Sequence, residues 1–186
     1  MELKKHIQIS DNVIPLSCIQ NFLKVCKTLN FGKGKVGEGP QDNKIRSVSN
    51  YNLNNLNSSL TIVHWYNFFK FYILNNFKKY SFSYQELQHN NCFLNEMEIL
   101  RYENSDHYTW HVDHFHKAPR TVSCIFMLNN DYEGGNLLFK NPLTNEIEKI
   151  TTKSNRLILW PSNFLFPHKI EPVTKGVRFS IVSWIL

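Results

Sequence analysis

The chain has 186 residues, 42% of them hydrophobic and 14% aromatic, which is enough for one domain with a substantial core and too little for two of ordinary size. Its net charge is +6 and its sequence pI about 9.1, but Lys and Arg are scattered without a basic run, which argues against a dedicated nucleic-acid surface. Met-Glu-Leu-Lys-Lys-His is followed by no apolar run, and no stretch has the length and apolarity of a membrane span, so a cytoplasmic setting with no membrane partner is expected.

Four cysteines, Cys18, Cys26, Cys92 and Cys124, lie far apart without CxxC spacing and inside apolar stretches, a pattern that fits a reducing compartment better than a disulfide framework. Asn is abundant, as across residues 50–57, while Ala and Gly are scarce. Such a bias suits an AT-rich genome, a phage's or a virus's among them, in which case the compartment is the host cytoplasm.

In chain order, residues 6–10 alternate like a short strand, and Pro15 then suits a first helical turn. Ile19, Phe22, Leu23 and Cys26 recur at three- and four-residue steps, predicting a helix to about Leu29. Residues 31–58 are rich in Gly, Asn and Ser, with Gly32, Gly34, Gly37, Gly39 and Pro40 clustered, so a loop or loose hairpin is expected there, with the potential to act as a lid. From Leu60 to Tyr80 the spacing of Ile62, Trp65, Phe69, Tyr72, Ile73 and Phe77 predicts a longer helix that packs this stripe on a sheet.

After Ser81 the period changes from 3.6 to 2. Segments near 84–88, 96–103, 107–115, 121–129, 136–140, 146–151, 156–160, 166–171 and 177–185 read as strands. The expected fold is mainly β with flanking α-helices. Residues 1–80 form an N-terminal helical buttress and loop, and residues 81–186 a cupin-like jelly-roll core, within a single domain 1–186.

Four residues on that frame carry chemistry. His111 and Asp113, two apart on a strand, project to one side, and with His168 they make the two-imidazole, one-carboxylate set that holds non-haem Fe(II) on one face. An His-x-Asp pair arises often by chance, and a lone buried His such as His168 is more often a hydrogen-bonded core residue than a ligand. His114 and His116 are a rival pair by composition, but they face the other way and have no third partner. Arg178, on an otherwise apolar strand, needs an acidic partner. That partner is either a structural carboxylate or a co-substrate acid matched by the planar guanidinium.

A longer series of segments then becomes specific. Leu100-Arg101-Tyr102, Tyr108 to Asp113, Arg120 to Asn129, Tyr132 to Leu137, Trp160-Pro161-Ser162, Phe166-Pro167-His168, Pro172 to Arg178 and Ser183-Trp184 occur in order. Together they resemble the 2-oxoglutarate and Fe(II)-dependent prolyl 4-hydroxylase-like family over residues 96–186. Gly34 to Gly37 and Arg46-Ser47 look like that family's loop before its long helix.

The resemblance implies a double-stranded β-helix and a dioxygenase that uses Fe(II), 2-oxoglutarate and O2, with ascorbate as reductant. Such an enzyme hydroxylates a prolyl residue of a protein or peptide and converts 2-oxoglutarate to succinate and CO2. It further implies His111, Asp113 and His168 as ligands, Arg178 on the distal carboxylate of 2-oxoglutarate, and the Tyr102 hydroxyl on the same co-substrate. Trp184 and Leu137 would wall the pocket, and Arg120 would touch the peptide. Met127 stands where some relatives carry a polar residue, and Arg178 where several collagen-type members use Lys, so 2-oxoglutarate affinity is the property these departures affect.

Two alternatives remain at this level. The same cofactor chemistry could act on a nucleic acid or a small molecule, although Thr174 stands where nucleic-acid demethylases of the superfamily usually carry Arg. The other is a non-catalytic jelly-roll binding module, which leaves an open-sided triad beside an Arg unexplained.

Overall fold

The computed structural model describes residues 2–34, 42–55, 59–88, 92–117 and 119–186. After a 3₁₀ turn, Leu3–His6, the first half holds β1 (Gln8–Asp11), α1 (Leu16–Cys26), β2 (Gly32–Lys33), β3 (Arg46–Ser47), β4 (Ser49–Asn52), α2 (Leu60–Ser81) and α3 (Gln85–Gln88). The second half is all strand: β5 (Leu94–Tyr102), β6 (His107–His111), β7 (Val122–Met127), β8 (Glu133–Gly134), β9 (Leu137–Lys140), β10 (Ile147–Ile150), β11 (Arg156–Pro161), β12 (His168–Ile170), β13 (Val173–Lys175) and β14 (Arg178–Ile185).

These strands form a seven-stranded major sheet, β1-β11-β7-β14-β5-β4-β2, and a five-stranded minor sheet, β10-β9-β12-β6-β3, with β8 and β13 as a separate ribbon. Strand alternation sorts the major sheet's side chains into two layers. Ile99, Val122, Cys124, Phe126, Leu157, Leu159, Ile181 and Ile185 face the helices. Leu100, Tyr102, Ile125, Met127, Ile158, Trp160, Val182 and Trp184 face the minor sheet, which contributes Leu137, Phe139 and Ile170. The fold is thus mainly β with helices on one side, the expected double-stranded β-helix.

The helices form for the anticipated reason. Ile19, Phe22 and Cys26 of α1 are buried, as are Ile62, Trp65, Phe69, Ile73, Phe77 and Tyr80 of α2. Phe69 meets Phe22 at a ring distance of 4.6 Å and Phe126 of the sheet at 5.5 Å, fastening both helices to the major sheet.

β1, expected as a short strand over residues 6–10, pairs with β11, and three further short strands come from the part expected to be helix, loop or loose hairpin: β2 pairs with β4, β3 with β6 and β4 with β5. The β2–β4 pairing makes the loose hairpin expected within 31–58, whereas Gly37, Gly39 and Pro40 fall outside the described residues. The strand expected near 84–88 is instead α3, because Gln85, Glu86, Leu87 and Gln88 are good helix formers and the backbone turns out of α2 through Tyr84 N–H to Ser81 O. The ribbon of β8 and β13 was not anticipated, being too short to show a period. Gly134 in it has φ +75°, and a Cβ there would lie 2.3 Å from the Pro172 carbonyl oxygen.

All four cysteines are free thiols, and burial pushes those of Cys26 and Cys124 up to about 12. Among the described residues no helix is long and apolar enough to cross a membrane.

At the edge of the major sheet, Asp11 of β1 accepts hydrogen bonds from Arg156 Nε and Nη2 at 2.7 and 3.0 Å and from Lys153 Nζ at 2.9 Å. Arg156 first and Lys153 second hold its carboxyl well below the usual carboxylate range. A carboxyl depressed by folding contributes stability above the unfolded value of about 3.9 and loses it as pH falls further. Urea denaturation should therefore show the native chain more stable than Asp11→Asn at pH 6, with the gap closing below pH 4. A gap independent of pH would leave these ion pairs without a stabilising role.

Candidate functional site

His111 ends β6 and His168 begins β12, and the two are direct cross-strand partners. Each ring is oriented by its own backbone: Nδ1–H donates to the carbonyl two residues earlier, Thr109 at 2.8 Å and Phe166 at 3.1 Å. That assignment leaves both Nε2 lone pairs free to coordinate.

Asp113 lies just beyond the end of β6, so strand parity does not aim it. The strand stops at His111 instead of running to 115 because the chain turns across the end of the major sheet, where His114 N–H donates to the Ser162 carbonyl at 3.0 Å. Asp113 Oδ2 accepts from Ser123 Oγ at 2.6 Å, and Ser123 is linked to Ser162 Oγ at 2.7 Å. The carboxylate oxygens then stand 3.7 Å from His111 Nε2 and 3.5 Å from His168 Nε2.

The three residues offer ligand atoms within 4.8 Å of one another, and they are the one such cluster among the described residues. Burial, then His168, pushes the His111 imidazole down to about 3, so it is neutral at physiological pH. Burial pushes the Asp113 carboxyl up, but His168, His111 and the Ser123 hydroxyl outweigh it, and the group lies below its ordinary range. Neutral imidazole nitrogen beside ionised carboxylate is the donor set a divalent first-row metal requires. The residues present fit such an ion. His114 and His116 are exposed and stand apart, His114 Nδ1 lying 2.9 Å from the Arg120 carbonyl oxygen.

A cavity of about 780 Å³ opens from the triad between the sheets. Arg178, lining it, is only 1% exposed and lies across from Tyr102 in the β14–β5 register, its guanidinium 5.1 Å from the Tyr102 ring centroid. Nη1 donates to Ser180 Oγ at 2.9 Å, while Nε and Nη2 have no partner. No carboxylate pairs with this cation among the described residues, so the structural salt bridge weighed from sequence has no acid to make it. Gly135 gives the side chain room, because a Cβ there would approach Arg178 Cδ to 3.0 Å.

The other residues singled out by sequence are placed as follows. Tyr102, Trp184 and Arg120 line the same cavity. Arg120 lies flat on Trp184, 3.6 Å from the ring centroid, and donates to Glu96 Oε2 at 3.0 Å and to the Asp113 carbonyl at 3.4 Å. Leu137 is not on the wall. It is buried in the layer between the sheets, and its cross-strand neighbour Ile170 reaches the cavity instead.

Sequence reasoning missed Tyr108, which stacks on His111 at 3.5 Å and 17° with Arg46 on it at 4.9 Å. Residues three apart should face opposite ways on a strand. A bulge sets Tyr108 to His111 against Ile170 to His168, and so returns both rings to one face. Ser123, by contrast, was readable as a polar residue on an otherwise apolar strand.

Residues 97–186 match the model of the 2OG-Fe(II) oxygenase superfamily. A PKHD-type hydroxylase from Aliarcobacter butzleri is 37% identical over 95 residues, a match covering 46% of this chain and 40% of that protein. The chain therefore spans about two-fifths of the length of the curated relatives it matches. A Pseudomonas putida prolyl-4-hydroxylase superposes with a TM-score of 0.74 at 14% identity, over 96% of this chain and 91% of that one. A prolyl hydroxylase of Trichoplax adhaerens, in complex with a hypoxia inducible factor oxygen degradation domain peptide fragment, gives 0.74 at 20% identity, over 97% and 83%. At these identities the structural likeness speaks for the fold.

The hydrogen bond from Ser123 holds the only carboxylate of the cluster. In Ser123→Ala, titration with Co(II) followed by its visible absorption should show metal affinity about 10–100-fold weaker, and Ser123→Thr should restore most of it. Equal affinity in all three proteins would remove Ser123 from the site.

Proposed function

We propose that this chain, whose residues 97–186 are a 2OG-Fe(II) oxygenase domain, is a dioxygenase that hydroxylates a prolyl residue of a protein or peptide while converting 2-oxoglutarate to succinate and CO2. The observation that carries the reading is Arg178, a buried cation with two unpaired N–H donors in the cavity that opens from the triad. Leaving such a charge uncompensated costs about 3–5 kcal/mol, and a ligand carboxylate would remove that cost. The guanidinium is fixed by Ser180 and Tyr102, so its free edge is organised in advance for a planar, bidentate acceptor.

His111, Asp113 and His168 would hold iron through two nitrogens and one oxygen. Iron bound there would supply O2 activation, with 2-oxoglutarate as the two-electron reductant, so that one oxygen atom enters succinate and the other a substrate C–H bond. The chain's own part is positional. Carbonyls of Thr109 and Phe166 keep the imidazoles in the coordinating tautomer, the Ser123 hydroxyl holds the Asp113 carboxylate in place, and apolar Leu100, Ile125, Ile170 and Val182 line the compartment against water. Arg120, Trp184 and Phe115 stand at the cavity as a peptide-contacting surface. That the substrate is a peptide is supported by the Trichoplax neighbour, which holds one.

The test is consumption of 2-oxoglutarate with Fe(II), ascorbate and proline-containing peptides, with mass spectrometry for a single added oxygen. Succinate should form only with Fe(II) and faster with a peptide substrate. The His111→Ala, Asp113→Ala double variant should be inactive, and Arg178→Ala should lose about 100-fold or more in kcat/KM for 2-oxoglutarate. Undiminished turnover in the double variant would refute the assignment of the site.

A further inference from the structure

Trp160 belongs to β11, whose alternation sends Leu157 and Leu159 to the helices and Ile158 and Trp160 to the space between the sheets. Its cross-strand partner is Ser123, the residue that holds Asp113. The indole stands edge-on to His168, centroids 5.0 Å apart at 72°, and edge-on to Phe139 at 5.2 Å and 77°. The side chain is 1% exposed and lines the cavity, yet Nε1, its sole donor, has no acceptor. Buried indole N–H groups usually find one. The rings of Phe139 and His168 offer at most weak π acceptors.

Among the described residues, two almost wholly buried side chains that line the cavity carry nitrogen donors without a partner: Arg178, beside Tyr102, and Trp160, beside His168 of the triad. Arg120 also has an unpaired Nε, but both its terminal nitrogens are engaged. One ligand with an anionic acceptor at each end would satisfy both. 2-Oxoglutarate is such a molecule, with carboxylates at its two ends and a keto oxygen next to one of them. We infer that the indole N–H of Trp160 is a second anchor for the acidic co-substrate, hydrogen-bonded to its keto-acid end while Arg178 takes the distal carboxylate. This rests on the oxygenase reading. A neutral donor suits that end, because it adds a hydrogen bond beside the metal without placing another positive charge against it.

Zn(II) serves as a redox-inert metal for the test, and 2-oxoglutarate binding is measured directly by calorimetry on native, Trp160→Phe and Arg178→Ala proteins. The Phe variant keeps an aromatic ring and loses the N–H. Its affinity should fall about tenfold, the weight of one hydrogen bond to a charged group, with Zn(II) affinity retained. The readout that packing alone would not move is the 1H–15N signal of the Trp160 indole, identified by its loss in Trp160→Phe, or from the native chain if that variant does not fold. It should shift strongly downfield when 2-oxoglutarate binds. If the native protein binds 2-oxoglutarate and Arg178→Ala does not, but the Trp160 signal stays in place or Trp160→Phe binds within twofold of native, the second anchor is wrong and the oxygenase reading stands. If the native Zn(II) protein does not bind 2-oxoglutarate, both fall.

Discussion

His111 and His168 belong to the minor sheet, whereas Ser123, Tyr102, Trp160 and Arg178 belong to the major sheet. Asp113 lies between them, its carboxylate shared by the imidazoles of one layer and the hydroxyl of the other. The distance between the sheets therefore controls the site. That distance is set by the layer of Leu100, Ile158, Trp160, Leu137, Phe139 and Ile170, close-packed side chains that resist both collapse and separation. A change there would shift the triad and Arg178 relative to each other without touching either.

The same layer explains why the buried charges are tolerable. Removing an ion from water costs several kcal/mol, even after relaxation, unless hydrogen bonds and opposite charge replace the solvent. Asp113 has the Ser123 hydroxyl donating to it, and its carboxyl lies below its ordinary range. Arg178 has one bond to Ser180 and the face of Tyr102. The guanidinium is nonetheless kept at 1% exposure, with Gly135 making space for it. The triad and Arg178 line one shared cavity.

The long elements were legible because each carries one uninterrupted period. The stripe of Ile62, Trp65, Phe69, Ile73 and Phe77 is helical over its whole length, and alternation across residues 178–185 sorts Arg178 from Phe179 correctly. Departures arise where the local signal is short or contradicted. Strands of two to four residues, β2 to β4 and the ribbon of β8 and β13, are strands because a neighbour's edge is available, and no period can be read in so few positions. Residues 84–88 have composition that suits a helix, and no sheet edge claims them.

At the site the division is finer. Residue chemistry alone nominated His111, Asp113, His168 and Arg178, since two imidazoles, a carboxylate and a buried guanidinium are costly to place in an apolar core without a purpose. The order of the surrounding segments carried the likeness to the oxygenase family. Tertiary structure decided the rest: that Asp113 is held by Ser123 and not by strand parity, that a bulge stacks Tyr108 on His111, that Ile170 and not Leu137 reaches the cavity, and that Arg178 meets no acid among the described residues. Each of these depends on which side chain of a distant strand arrives opposite, and that is settled by register and packing between sheets, for which a linear pattern carries no record.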